Sequence, residues 1–326
     1  VLSTPNGRAL DAAFARLEYC AAVDIYRNET TRHAQVILPP TWSLEHDNYE
    51  IVFHQFAVHN RARYTLPVLE PESGALREWE ILFELGMRIA EKKAKGVFER
   101  LSFRAVRGMR AFLHTRRMLD WMLRLGPHGD GFRPWRRGLR LRDLLAEPRG
   151  VDLGPLRPSL LEWLEARGAW IDLAHAGMSA ELDRLAGELA APAREGLLLI
   201  GRRDLRTNNS WLHNAPLAVK GRDRCTLLMH PDDARERKLA SGDRVRIRSR
   251  VGEVTARLEL SGEIMPGVVS LPHGWGHQSR TGMQLRVAEA HAHVSLNDLT
   301  DEQPLEPVVG NAILNGVPVA VEAAGA

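Results

Sequence analysis

Apolar and polar positions divide the chain into three stretches of different rhythm. Over residues 1–95, strand-length apolar runs alternate with helical spacing. "LDAAFARLEYCAAVDIY" reads as a helix and then a short strand ending at Asp24, and "HAQVILPP" as a second strand stopped by Pro39 and Pro40. "LREWEILFELGMRIAEKKAKG" carries apolar residues at helical spacing and cations late in the run, with Gly96 as the expected C-cap. Strands alternating with helices predict a piece of a parallel α/β domain. Residues 96–195 read as a helical middle region: "VFERLSFRAVRGMRAFLHTRRMLDWMLRLG" has one apolar stripe, and Gly and Pro punctuate the short helices that follow.

Over residues 196–326 the period shortens to two. "LLLIG", "CTLLMH", "DRVRIRSRVGEVTARLEL", "GVVSLP" and "VPVAVE" read as strands, with Gly252 in a hairpin turn. "HPDDARERKLASGDRV" reads as one small helix, with Pro231 at its start, Asp232 and Asp233 in its first turn and Gly242 in the turn after it. Many short strands of this kind predict a small barrel.

Composition narrows the class. At 326 residues the chain has room for two or three domains, and 44% hydrophobic and 26% charged residues are ordinary for a globular protein. No apolar run is long enough to cross a bilayer, and no signal peptide is visible, so a cytoplasmic location is expected. The net charge of +3 permits an anionic partner without demanding one. Cys20 and Cys225 stand far apart and read as two buried thiols, so no metal or iron–sulfur site is expected from cysteine. The Arg-rich stretch from Arg133 to Arg142 is expected to be a solvated face, because no nucleic-acid motif accompanies it.

Polar residues crowd the ends of the expected strands. Asp24 places a carboxylate at the C-terminal end of a strand, where open α/β sheets bind ligands, although an Asp there also caps turns. Asn28, Thr30 and Thr31 stand beside it, and His46 lies on the following loop. Three barrel loops are rich in Asn, His, Trp and Gly: "GRRDLRTNNSWLHN", "LPHGWGHQS" and "SLNDLTDEQP". Small barrels fill their interiors with side chains, so ligand contacts fall on such loops.

Taken in order, these motifs resemble a known family. "VDIYRNETTRHAQVILPP…SLEH" is similar to a segment of the molybdopterin oxidoreductases of the dimethyl-sulfoxide-reductase superfamily. "HPDDARERKLASGDRVRIRSRVGEV…GVVSLPHGWGH…LNDLT" resembles the C-terminal molybdopterin-dinucleotide-binding domain of the same superfamily. The resemblance implies an α/β fragment over residues 1–95, a helical connector over 96–195 and a double-psi β-barrel over 196–326. It implies a cofactor, molybdopterin guanine dinucleotide in bis form with molybdenum or tungsten.

It also implies residues. Asp24 would contact the guanosine end, beside Thr30, with His46 where many members have Lys and Glu78 where many have Asp. The loop Gly201, Arg202, Arg203, Asn208, Asn209, Ser210, Trp211 would wrap the pterin and its phosphates. His273, Gly274 and Trp275 would line the same mouth, with His273 and His277 as candidates for a substrate funnel. Asn297 would bond the pterin ring, and Asn311 or Asn315 would stand in for a late Lys. Two departures stand out: Gln35 replaces a usual Asp, and Lys238 replaces a common Gly.

No catalytic residue and no metal ligand are expected in this chain. The resemblance implies the C-terminal part of a formate-dehydrogenase- or nitrate-reductase-like enzyme. Its partners would be upstream domains that carry the metal ligand and any iron–sulfur cluster. The alternative is a non-catalytic double-psi barrel module or accessory protein with an Arg-rich interaction surface.

Overall fold

A computed structural model describes residues 1–110, 112–190, 196–277 and 282–325. The chain divides into two units: Val1–Ile37 with Asp172–Ala326, and Leu38–Ile171.

The first unit begins with α1 (Gly7–Phe14), whose N-cap Asn6 accepts a hydrogen bond from the Ala9 amide at 3.2 Å. The strand β1 (Ala21–Val23) pairs with β2 (Val36–Leu38). The expected α/β piece is therefore confined, among the described residues, to two-stranded pairings and their neighbouring helices.

The second unit opens with three two-residue strands, β3 (Asn48–Tyr49), β4 (Arg61–Ala62) and β5 (Tyr64–Thr65). Helices follow: α2 (Glu78–Lys93), α3 (Val97–Gly108), α4 (Thr115–Leu125) and α5 (Leu141–Ala146). β6 (Val151–Asp152) pairs back onto β4, and α6 (Leu160–Glu165) ends the unit. Its core joins Leu119 and Leu123, one helical turn apart on α4, to Leu139, Leu141, Leu144, Ala62 and Tyr64. Gly96 differs from expectation. α2 ends at Lys93 with Ala94 already extended, and Gly96 is the N-cap of α3. Glu99 reaches back to accept from the Lys95 amide at 3.0 Å, which starts the new helix where the old one would have been capped.

The chain returns to the first unit through α7 (Ala176–Ala190) and enters a closed barrel. Its strands are β7 (Leu197–Arg202), β8 (Thr226–Met229), β9 (Arg244–Arg248), β10 (Glu253–Leu260), β11 (Val268–Pro272) and β12 (Val317–Ala323). Three short helices lie between them: α8 (Pro216–Val219), α9 (Pro231–Glu236) and α10 (Arg286–Ala290). The order around the barrel is β10-β8-β11-β7-β12-β9. β10 runs parallel to β8 and β11 parallel to β7; the other neighbours are antiparallel. Closure leaves no unpaired edge.

The period-two pattern explains the interior. Val245 and Ile247 of β9, Val254, Ala256 and Leu258 of β10 and Val317, Val319 and Val321 of β12 point inward, meeting Leu199, Leu227, Met229, Val269 and Leu271. Their polar alternates, such as Arg244, Arg246 and Arg248, point out. Pro231 and Gly242 take the expected places, with Gly242 at φ +98°. Lys238 occupies a left-handed position at φ 56°, where glycine carries no steric cost.

Candidate functional site

Because β7 and β11 run parallel, with Gly201 opposite Leu271 and Arg202 opposite Pro272, their following loops leave the barrel side by side. The two loops touch. An added Cβ at Gly274, which has φ +96°, would lie 1.7 Å from the Asn209 carbonyl oxygen. At Gly276 an added Cβ would meet the Ser295 Cβ at 2.6 Å, so the Leu296–Asp298 turn joins the same cluster. Tertiary contact thus brings the three polar loops together.

Within the loop after β7, Asp204 is the anchor: it pairs with Arg224 at 3.2 Å and accepts from the Arg206 amide at 2.8 Å. Asn208 and Asn209 follow in the left-handed region, at φ 42° and 62°. Arg203 is exposed and donates to the Asn209 side-chain oxygen. Ser210 precedes a 3-10 turn, Trp211–Asn214, and Trp211 stands 79% exposed. His273 lies against Arg203; burial and that cation both lower its pKa. The mouth therefore presents a guanidinium, amide groups, an imidazole and an indole.

Other sequence-predicted residues make hydrogen bonds within the chain. Arg202 turns inward and donates to the carbonyls of Ser270 at 2.6 Å, Thr226 at 2.7 Å and Arg224 at 3.2 Å. The Gly201 amide donates to Asn315 at 2.8 Å. Asn297 is buried: its amide nitrogen donates to the Leu2 carbonyl at 2.6 Å and its oxygen accepts from Thr300 at 2.9 Å. Asn311 is exposed, and its carbonyl accepts from the Glu306 amide at 2.7 Å.

Behind the mouth lies a feature that the sequence motifs do not reveal. Glu29, His277 and His213, exposed by 5%, 2% and 1%, form a buried chain. Glu29 Oε1 is 2.6 Å from His277 Nδ1, and His277 Nε2 is 2.7 Å from His213 Nδ1. Trp275 stacks on His213 with ring centroids 4.0 Å apart. Burial, and secondarily His277, push the His213 pKa down to about 4, so its ring is neutral at pH 7. Among the described residues, His213 Nε2 and Trp275 Nε1 are buried without a hydrogen-bond partner. The sequence singles out His277 for a funnel wall, whereas Glu29 and His213 sit inside the quoted motifs without a role. Spacing gives no signal for them, because Glu29 stands 248 positions from His277.

On the segment of the first unit that follows β1, Asp24 accepts from the Tyr26 amide and from Asn28 Nδ2, each at 2.9 Å. Asn28 in turn accepts from the amides of Thr30 and Thr31 at 3.0 Å. Both roles expected of Asp24 thus remain open to it: it forms the turn and keeps Thr30 beside it.

In the second unit, His46 and Glu78 line one cleft of about 400 Å³ with Tyr64, Arg77, Trp79 and Arg116. Asp47 accepts from Tyr64 and from Arg116. Burial alone would raise Asp47, but those two bonds outweigh it and hold its carboxyl below the usual range. Burial and then Asp47 push the Tyr64 hydroxyl up to about 12. Arg77 Nε and Trp79 Nε1 are buried without hydrogen-bond partners among the described residues. They are N–H donors of the kind an anion or a nucleoside edge requires. No group of His, Cys, Asp and Glu among the described residues has the arrangement of a metal site, and no described helix is long and apolar enough to cross a membrane.

Donor-rich loops are thus gathered beside two parallel strands at one mouth of the closed barrel. Residues 197–318 match the family described as molydopterin dinucleotide binding domain. A tetrathionate reductase subunit of Salmonella typhimurium is 32% identical over 110 residues, which cover 29% of this chain and 11% of that protein. Dimethyl sulfoxide/trimethylamine N-oxide reductase of Rhodobacter capsulatus is 25% identical over 296 residues, covering 80% of this chain and 33% of that protein. The chain thus spans a third or less of the length of these relatives. Acetylene hydratase from Pelobacter acetylenicus shares the fold, with a TM-score of 0.61 at 15% identity, over 99% of this chain and 43% of that structure. Residues 197–318 thus carry the molydopterin dinucleotide binding domain, and the chain is similar to part of two reductases and shares a fold with acetylene hydratase.

Proposed function

We propose that this chain is the cofactor-holding C-terminal part of an oxidoreductase that uses molybdenum or tungsten on bis-molybdopterin guanine dinucleotide. The single observation that carries the reading is the contact between the Asn208–Trp211 and His273–Trp275 loops, inside the segment that matches the dinucleotide-binding family. The donor set fits such a group. Arg203, Asn208, Asn209, Ser210, Trp211 and His273 offer charged and neutral donors at the mouth, and Trp275 Nε1 is a buried donor beside them. Arg77 and Trp79, with His46, offer a second donor set, and Glu78 an acceptor beside them, a combination suited to a nucleoside.

When bound, the cofactor supplies two-electron chemistry at its metal. The residues of this chain bind and orient. Arg203 meets anionic charge, Gly274 lets two backbones approach, and the buried Glu29–His277–His213 chain fixes the loop from behind. Arg202 and Asn297 act by holding the barrel mouth in shape. Two parallel and four antiparallel pairings around six strands support the finer reading of a double-psi barrel.

The formate-dehydrogenase- or nitrate-reductase-like assignment rests on the resemblance of the helical middle region. Large apolar side chains stand open to solvent on α3, α6 and α7, among them Phe98, Leu161 and Leu189, which supports cover by further domains of the same enzyme. A cytoplasmic location completes the reading.

The test uses the complete gene product that carries this chain, purified from cells supplied with molybdate. Bound guanine nucleotide, released by acid, and bound metal are expected in a fixed ratio. Arg203→Ala with Asn209→Ala is expected to lower both severalfold while the circular dichroism of the barrel is retained. A folded wild-type protein without guanine nucleotide sinks the proposal.

A further inference from the structure

The outer face of the β9–β10 ribbon carries an uncompensated charge. Arg244 and Arg257 are register partners across the two antiparallel strands, and both side chains point to solvent. Like charges set directly opposite one another destabilise a ribbon. The neighbouring rungs avoid this: Arg246 is bonded to Glu322 at 2.9 Å, and Arg248 stands opposite Glu253. Neither the Arg244 nor the Arg257 side chain has a hydrogen bond or ion pair among the described residues.

The pair opens onto a cleft of about 620 Å³ that also takes in Arg8, Asp223, Glu253 and His293. Arg8 is held there from α1, by Asp298 at 3.1 Å and by the Glu253 carbonyl at 2.8 Å. Asp223 is already engaged, accepting from the Cys225 amide at 2.9 Å and lying 3.3 Å from His293 Nε2. Three guanidinium groups and one imidazole line the cleft with two carboxylates; Arg8 is paired with Asp298 and His293 with Asp223, so the cationic excess rests on Arg244 and Arg257.

We propose that this cleft is a binding site for a phosphate-class oxyanion, gripped by Arg244 and Arg257 with Arg8 as the third cation. Guanidinium forks match phosphate oxygens bidentately, and an anion between the two arginines turns a repulsive rung into an attractive one. None of the residues assigned to the cofactor lines this cleft, so the site stands whether or not the cofactor reading holds. The oxyanion is either free phosphate or the diphosphate end of a nucleotide, and the chemistry at the arginines is the same.

Titration calorimetry on the complete gene product that carries this chain, at an ionic strength fixed with chloride, tests it. Inorganic phosphate and pyrophosphate are expected to bind saturably. Arg244→Gln with Arg257→Gln is expected to weaken both by about tenfold or more, and Arg246→Gln to leave both unchanged. Pyrophosphate and guanosine diphosphate binding equally would assign the site to phosphate alone, whereas tighter guanosine diphosphate would assign it to a nucleotide. Thermal unfolding gives a second readout. Phosphate is expected to raise the wild-type Tm but not that of the double variant, and Arg257→Gln in chloride is expected to be at least as stable as wild type. No saturable phosphate binding, equal binding by the double variant, or a lower Tm for Arg257→Gln in chloride would each overturn the proposal.

Discussion

The buried Glu29–His277–His213 chain sets the behaviour of individual residues at the barrel mouth. Each member is tied to the next by a bond of 2.7 Å or less, so a cut is costly. His277→Ala removes the middle link and takes one partner from each neighbour. The expected loss is roughly 2–4 kcal/mol of unfolding free energy in urea, and a loss under about 0.5 kcal/mol would show the chain to be incidental. The pH dependence follows from His213, whose ordinary value of 6.5 is pushed down to about 4. The unfolded chain takes up its proton first as the pH falls. Stability is therefore fully present above 6.5 and is lost on the way down to 4, by about 3 kcal/mol from this group. Burial first of all lowers His273 and His293 too, so their contributions have the same sign. Unfolding curves across that range should be flatter for His213→Gln than for wild type; an unchanged slope would contradict the assignment.

At the scale of elements, the decisive contact is between two loops. Gly274 holds a left-handed backbone and leaves no room for a Cβ against Asn209. Gly274→Ala is expected to cost roughly 2–4 kcal/mol, whereas Gly262→Ala, with nothing within 4 Å of the added carbon, should stay within about 0.5 kcal/mol of wild type. Equal stability of the two variants would mean that the loops separate easily. The strands are legible in the sequence, because period-two alternation survives in β9, β10 and β12 whatever the barrel order. The end of α2 is not: Gly96 suits either side of a helix boundary, and Glu99 settles which.

At the scale of the whole molecule, each unit has its own core. Leu199 is fully buried in the barrel and Leu144 in the second unit. Each Leu→Ala change is expected to cost about 2–5 kcal/mol, and the double variant should add the two within about 0.5 kcal/mol. A large coupling energy in denaturant titrations would show that the cores act as one.

The sequence by itself determined the strand set of the barrel, the helical middle and the likeness of residues 197–318 to a dinucleotide-binding domain, because local periodicity and ordered motifs are written in contiguous residues. It also pointed to Arg203, Asn209 and Gly274, since loop residues at strand ends are readable from their neighbours. Only the tertiary structure decided that Arg202 and Asn297 turn inward, that Glu29 meets His277, and that Arg244 faces Arg257. The physical reason is range: a side chain's direction and partner are fixed by register and closure, which join residues far apart in the chain and leave no trace in local spacing.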